Sequence, residues 1–165
     1  MSASMKTDFS KDLEDGVRPE HELYQGWDVE SDKALTNKHY ELPTEFFYCL
    51  TGGKWNIYSA NWWGDGIETI TQSQEAKMDL MAQHMELKPG MRIMDVGCGW
   101  AGPITYLAEK YDVRGVGLTL SRPQKAAADE RIAQHGVDVD IRIAHWAEYE
   151  DDEKFDVIYT DEVIV

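Results

Sequence analysis

Arg92-Ile93-Met94-Asp95-Val96-Gly97-Cys98-Gly99-Trp100-Ala101-Gly102 constrains this chain more than any other stretch. A run of strand length leads into closely spaced glycines, and apolar residues at helical spacing follow. Gly97, Gly99 and Gly102 fit G-x-G-x-x-G, the turn through which a strand enters a helix while its backbone passes close to a bound nucleotide. Gly97 suits the tight turn, Gly99 removes a side chain where a ligand approaches, and Gly102 permits close packing of helix on strand.

The residues that follow repeat the alternation. Pro103 sits in a first helical turn, and Ile104, Leu107, Ala108 and Tyr111 form the apolar stripe of a helix over 102–111. Val113 to Leu118 reads as a second strand. Ser121 with Gln124 has capping-box spacing and opens an alanine-rich helix to about His135. Val139 to His145 reads as a third strand and Phe155 to Thr160 as a fourth. Strands and helices alternating over short links predict an α/β fold, a Rossmann-like parallel sheet with helices on both faces.

Ahead of this core the chain changes character. Residues 1–30 are polar and acidic and read as a mobile arm. Residues 31–90 read as a helical and aromatic cap segment, and 91–165 as the ligand-binding core. A helix over Asp32 to Leu50 is interrupted by Pro43, leaving a second piece over Thr44 to Leu50 with Phe46 and Phe47 packing inward. The stretch Trp55-Asn56-Ile57-Tyr58-Ser59-Ala60-Asn61-Trp62-Trp63 either walls an apolar pocket or caps the core beneath a loop. Thr71 with Gln74 again has capping-box spacing, and Ala76, Leu80, Met81 and Met85 mark the packed face of the helix it opens.

Composition removes several function classes. A net charge of −15 in 165 residues argues against a nucleic-acid partner, which needs a basic face against phosphates. No apolar run is long enough to span a bilayer, and there is no apolar signal core at the N-terminus. Two cysteines, Cys49 and Cys98, make no disulfide framework and fit a reducing, cytoplasmic setting.

Asp95 narrows the ligand. A carboxylate two residues before the first glycine, at the end of a strand, repels a pyrophosphate but suits a ligand carrying positive charge, such as the sulfonium and ammonium of S-adenosylmethionine. The place about 20 residues past the glycine turn, where an acid would hold ribose hydroxyls, is Leu118-Thr119-Leu120-Ser121 and has no carboxylate. Both observations disfavour a nicotinamide dehydrogenase.

His39-Tyr40-Glu41-Leu42-Pro43, Tyr58-Ser59, Gln74-Glu75-Ala76-Lys77, Leu87-Lys88-Pro89-Gly90-Met91-Arg92, Asp95-Val96-Gly97-Cys98-Gly99-Trp100 and Val116-Gly117-Leu118-Thr119-Leu120-Ser121 occur in that order. From about Asn37 onward the chain resembles the cyclopropane fatty acid synthase and mycolic acid cyclopropane synthase family, a branch of the class I S-adenosylmethionine-dependent methyltransferases. The resemblance implies S-adenosylmethionine as cofactor, S-adenosylhomocysteine as product, and no metal. It implies cofactor contacts at Tyr58 and Ser59 and at Thr119, Leu120 and Gln124, with Tyr40 of the first motif beside them. Position at the strand ends adds Asp95, Gly97, Cys98, Gly99, His145 and Trp146, the last as a stacking partner for adenine. Asp161 and Glu162 fall at the pocket mouth as candidate catalytic carboxylates. A domain of this type needs about a hundred further residues, so the chain reads as its N-terminal part, with room for a completing C-terminal segment or a second copy.

The chain also departs from the family. An acid usually follows the tryptophan, and here Ala147 does. The family's Tyr-Ser-Cys becomes Tyr58-Ser59-Ala60, and its glutamate after the fourth strand aligns with Val165. In the family those two residues hold a bicarbonate that takes a proton during ring closure. The expectation is therefore methyl transfer to carbon or nitrogen of a small molecule or unsaturated lipid. The alternatives are a cyclopropane or methyl-branched acyl lipid synthase and a non-catalytic binding module.

Overall fold

The computed structural model describes residues 28–40 and 42–163. The arm proposed for 1–30 falls almost wholly outside them, as does Val165. Helices α1 (Val29–His39) and α2 (Thr44–Thr51) come first, then α3 (Ile70–His84). The core follows as β1 (Arg92–Val96), α4 (Gly102–Tyr111), β2 (Arg114–Thr119), α5 (Arg122–His135), β3 (Val139–Ile143) and β4 (Val157–Thr160).

All strand pairings are parallel and the order is β3-β2-β1-β4. The chain steps outward from β1 through β2 to β3, then crosses back to set β4 on the other side of β1. That reversal opens a crevice at the carboxyl ends of β1 and its neighbours, where α/β proteins bind ligands. Asp95 lies in register with Gly117 on one side and Tyr159 on the other.

Helices α3, α4 and α5 cover one face of the sheet. Ile93, Ile104, Leu107, Ile141, Met78 and Trp55 are buried between them. On the opposite face Met94, Val96, Val116 and Leu118 pack with Ala144, Tyr149 and Phe155. Helix α1 lies on that second side, its Asp32, Leu35 and Thr36 sharing a cavity wall with Val96 and Leu118. Burial of these apolar side chains is the main stabilising term, about 1.5–3 kcal/mol for each large one.

Several local expectations shift. The capping box of α3 is Thr69 with Gln72, not Thr71 with Gln74: Gln72 N–H donates to Thr69 Oγ1 at 3.2 Å, and Thr69 N–H donates to Gln72 Oε1 at 3.0 Å. Gln74 is instead fully buried, accepting from Trp55 N–H and donating to the Gly52 carbonyl at 3.1 Å each. The buried face of α3 is Ser73, Gln74, Met78 and Ala82, with Met81 and Met85 at its margin, so Ala76 and Leu80 are only partly covered. Phe47 packs inward as expected, but Phe46 is 46% exposed. At α5 only half of the capping box forms: Ser121 Oγ accepts from Gln124 N–H, while the Gln124 side chain turns to Thr119.

Candidate functional site

The glycine turn is built as its spacing requires, with one reassignment. Gly97 and Gly99 hold φ of 81° and 54°, left-handed values that favour glycine. Nothing stands where a Cβ on Gly99 would go, so the backbone there is open to a ligand. Gly102 makes room for the aromatic loop rather than a strand, because a Cβ there would run into the Trp55 carbonyl. The N–H groups of Gly97 and Cys98 both donate to the Leu118 carbonyl, at 3.0 and 2.8 Å. These amides are therefore spent inside the fold and do not form a phosphate cradle.

Asp95 is 2% exposed, and its Oδ2 has no hydrogen-bond partner among the described residues. Burial pushes its carboxyl up to about 7, with Asp161 adding to the rise and Tyr159 and Lys77 opposing it. A buried carboxylate without a donor is costly, and a cationic ligand would relieve it. The buried Tyr159 hydroxyl, on the neighbouring strand, faces this carboxylate and has no other partner among the described residues.

Two adjoining cavities meet at this point. The smaller, of about 80 Å³, contains Asp95, Tyr58, Ser59, Cys98 and Asp161 in its wall. The larger, of about 770 Å³, is lined by Leu118, Thr119, Leu120, Gln124, His145 and Trp146 and roofed by α1. Tyr40, Gly97, Gly99, Glu162 and Val163 border both. The structure thus gathers every candidate site residue around one cleft, whose larger part is of ligand-binding size.

Not every side chain in the wall is free. Thr119 Oγ1 donates to Gln124 Oε1 at 2.7 Å and accepts from Ser121 N–H at 3.1 Å, so it shapes the turn. His145 is buried with both ring nitrogens engaged: Nδ1 accepts from Ala147 N–H, and Nε2 faces Asp32 Oδ2, each at 3.1 Å. It ties α1 to the end of β3. Cys98 contributes backbone, since its thiol packs against Gly117, where burial raises its pKa well above the ordinary range. Trp146, by contrast, is 54% exposed and offers a free ring face to the cavity.

The aromatic stretch divides. Trp55 enters the core edge-on to Tyr106 at 5.1 Å, and its Nε1–H donates to Glu75. Tyr58 lines the smaller cavity, whereas Trp62 and Trp63 are exposed and border neither cavity.

Sequence reasoning passed over Lys77, although it stands in one of the ordered motifs. Its Nζ lies 2.5 Å from Ser59 Oγ and 2.6 Å from Asp161 Oδ2, and Ser59 donates to the same carboxylate oxygen at 2.6 Å. Ala60 N–H donates to Glu162 Oε1 at 3.0 Å. The partners are far apart in sequence, so no local pattern could have joined them.

A parallel sheet reversing at β1, a glycine turn at that reversal and a ligand-sized cleft outside the strand ends define a Rossmann-like α/β protein. The family model for mycolic acid cyclopropane synthetase matches residues 28–164, and the chain belongs to that family. It is 36% identical over 114 residues to the cyclopropane-fatty-acyl-phospholipid synthase of Escherichia coli strain K12, covering 69% of this chain and 29% of that enzyme. Among solved structures it resembles mycolic acid cyclopropane synthase CmaA1, complexed with SAH and CTAB, with a TM-score of 0.69 at 33% identity, covering 78% of this chain and 45% of that one. It also resembles the cyclopropane synthase MmaA2 from Mycobacterium tuberculosis, with a TM-score of 0.70 at 30% identity, covering 81% and 45%. The chain therefore spans under half the length of these relatives.

Proposed function

We propose that this chain forms the cofactor-binding part of an S-adenosylmethionine-dependent methyltransferase that acts on carbon or nitrogen of an unsaturated lipid or a small molecule. The observation that carries this reading is the buried, unpartnered Asp95 Oδ2 at the end of β1, beside two glycines and in the wall of the smaller cavity, which adjoins the larger one. That donor-poor carboxylate fits a cationic ligand, the open backbone at Gly99 fits its close approach, and the exposed ring of Trp146 fits an adenine. Asp95, Gly97, Gly99, Tyr58 and Tyr40 would hold the amino-acid end, and Leu120, Gln124 and Trp146 the nucleoside.

When bound, S-adenosylmethionine supplies a methyl group already activated on sulfur. The residues of this chain bind, orient and exclude water. Of the two candidate carboxylates, Asp161 is held by Lys77 and Ser59 and borders only the smaller cavity. Glu162 borders both cavities and uses only Oε1, so it is the better placed to face a cation or receive a proton. A lipid acceptor is favoured as the second reading by the name of the Escherichia coli relative.

Among the described residues no helix is long and apolar enough to cross a membrane, and both cysteines are unpaired, which supports a cytoplasmic location. β4 is an edge strand among the described residues, and its Ile158 is 60% exposed, which supports pairing with a completing segment or a second copy.

Calorimetric titration with S-adenosylmethionine tests the site. Micromolar binding, weakened at least tenfold by both Asp95→Ala and Tyr58→Ala, is expected. A folded protein that binds no cofactor would sink the reading. Methyl-labelled cofactor offered with unsaturated phospholipids and with small amines then separates the two acceptor classes.

A further inference from the structure

Lys77 reaches neither cavity, yet its ammonium sits where three separate segments meet. It belongs to α3, Ser59 to the aromatic loop, and Asp161 to the turn leaving β4. The side chains of Lys77 and Asp161 are only 13% and 19% exposed, so water screens the pair poorly. The next residue of each segment repeats the tie, through Ala60 N–H and Glu162. One residue further on, Val163 rests on Gly97, filling the space that a Cβ there would need. The Tyr58–Ala60 loop and the 161–163 turn are thus fastened together directly behind the Asp95 carboxylate.

We propose that Lys77 is a positioning residue of the cofactor cleft: without touching the ligand, it fixes the Tyr58–Ala60 loop and the 161–163 turn against each other and so sets the smaller cavity. This rests on the cofactor reading above. The groups that face Asp95 are Lys77 from α3, Tyr159 from β4, Asp161 from the following turn and Cys98 from the glycine turn. Lys77 is the cation among them, and it also neutralises Asp161. Its loss therefore leaves Asp95 facing an unneutralised carboxylate, and cofactor binding then requires a higher pH.

The test compares the wild-type chain with Lys77→Met, Lys77→Arg and the double variant Lys77→Met/Asp161→Met. The double variant avoids leaving a lone buried charge, so it keeps the question answerable if the single change unfolds the chain. Two measurements are made: amide hydrogen exchange across residues 56–62, and S-adenosylmethionine affinity as a function of pH.

Faster exchange in Lys77→Met and in the double variant, with recovery in Lys77→Arg, is expected. A tenfold or greater loss of affinity should accompany it, and the pH midpoint of binding should move upward in Lys77→Met. Unchanged exchange in a folded Lys77→Met or double variant, or an unchanged pH midpoint in a folded Lys77→Met, would overturn the proposal. Absence of cofactor binding by the wild type, with exchange still dependent on Lys77, would remove the cofactor reading and leave the fastening itself established.

Discussion

Asp95 and the glycines beside it make distinct predictions. The folded chain holds the Asp95 carboxyl up at about 7, against an ordinary value of 3.8, so between those values the folded state binds the extra proton. The resulting stability is fully present below about pH 4 and is lost as pH rises through about 7. The gap corresponds to roughly 4 kcal/mol as a ceiling. Asp95→Asn should therefore raise Tm relative to wild type at pH 8 and do so much less at pH 4.5, as thermal melts at the two pH values will show. A cationic ligand favours the ionised carboxylate, so cofactor binding at pH 6 should release a proton. Calorimetry in two buffers of different ionisation enthalpy should detect that release in the wild type and lose it in Asp95→Asn. Gly102→Ala should lower Tm far more than Gly99→Ala, because only the former meets a backbone carbonyl. Gly99→Ala should mainly weaken cofactor binding. Asp95, Gly97 and Gly99 were legible in the sequence because each acts at its own turn, whereas the partner of Gly102, the Trp55 carbonyl, lies in a distant loop. Lys77 was not legible, since its partners lie 18 and 84 residues away.

The elements were legible where one face is buried and the period is plain. β1 to β4, α4 and α5 fall within a few residues of their expected places. α3 was found, but its cap was misplaced by two residues, because Thr69–Gln72 and Thr71–Gln74 have the same spacing. Tertiary contact decided between them: Gln74 is drawn into the core to hold Trp55 and Gly52. Thr69→Ala should cost about 1 kcal/mol of stability in a denaturant melt, the ordinary worth of an N-cap. α2 misled for a related reason. Its stripe of Phe46, Phe47 and Leu50 looks like a core face, but only Phe47 turns inward, toward Trp100 and Tyr40. Periodicity gives the side of a helix that is apolar, not whether a neighbour is there to cover it. The division of the aromatic stretch into a buried Trp55 and exposed Trp62 and Trp63 was hidden in the same way.

For the molecule as a whole, charge and topology act together. With −15 net charge, self-repulsion works against the compact state. Raising ionic strength from about 0.01 M to about 0.15 M shortens the screening length from roughly 30 to 8 Å. Tm should rise accordingly, and a fall over that range would show that the ion pairs, not the excess acid, dominate. The parallel sheet and the location of the cleft follow from alternating strands and helices together with the glycine turn, whereas the strand order β3-β2-β1-β4 does not. What could not be read was the closure of the cleft. Ser59 reaches Asp161 across 102 residues, and His145 reaches Asp32 across 113. Contacts of such long sequence separation require most of the chain to be in place first, and topology of this kind slows folding. The amides of the glycine turn are held by β2, through the Leu118 carbonyl. The walls that turn it into an enclosure are joined by side chains from distant segments, and they should be the first parts to separate when the native state breathes.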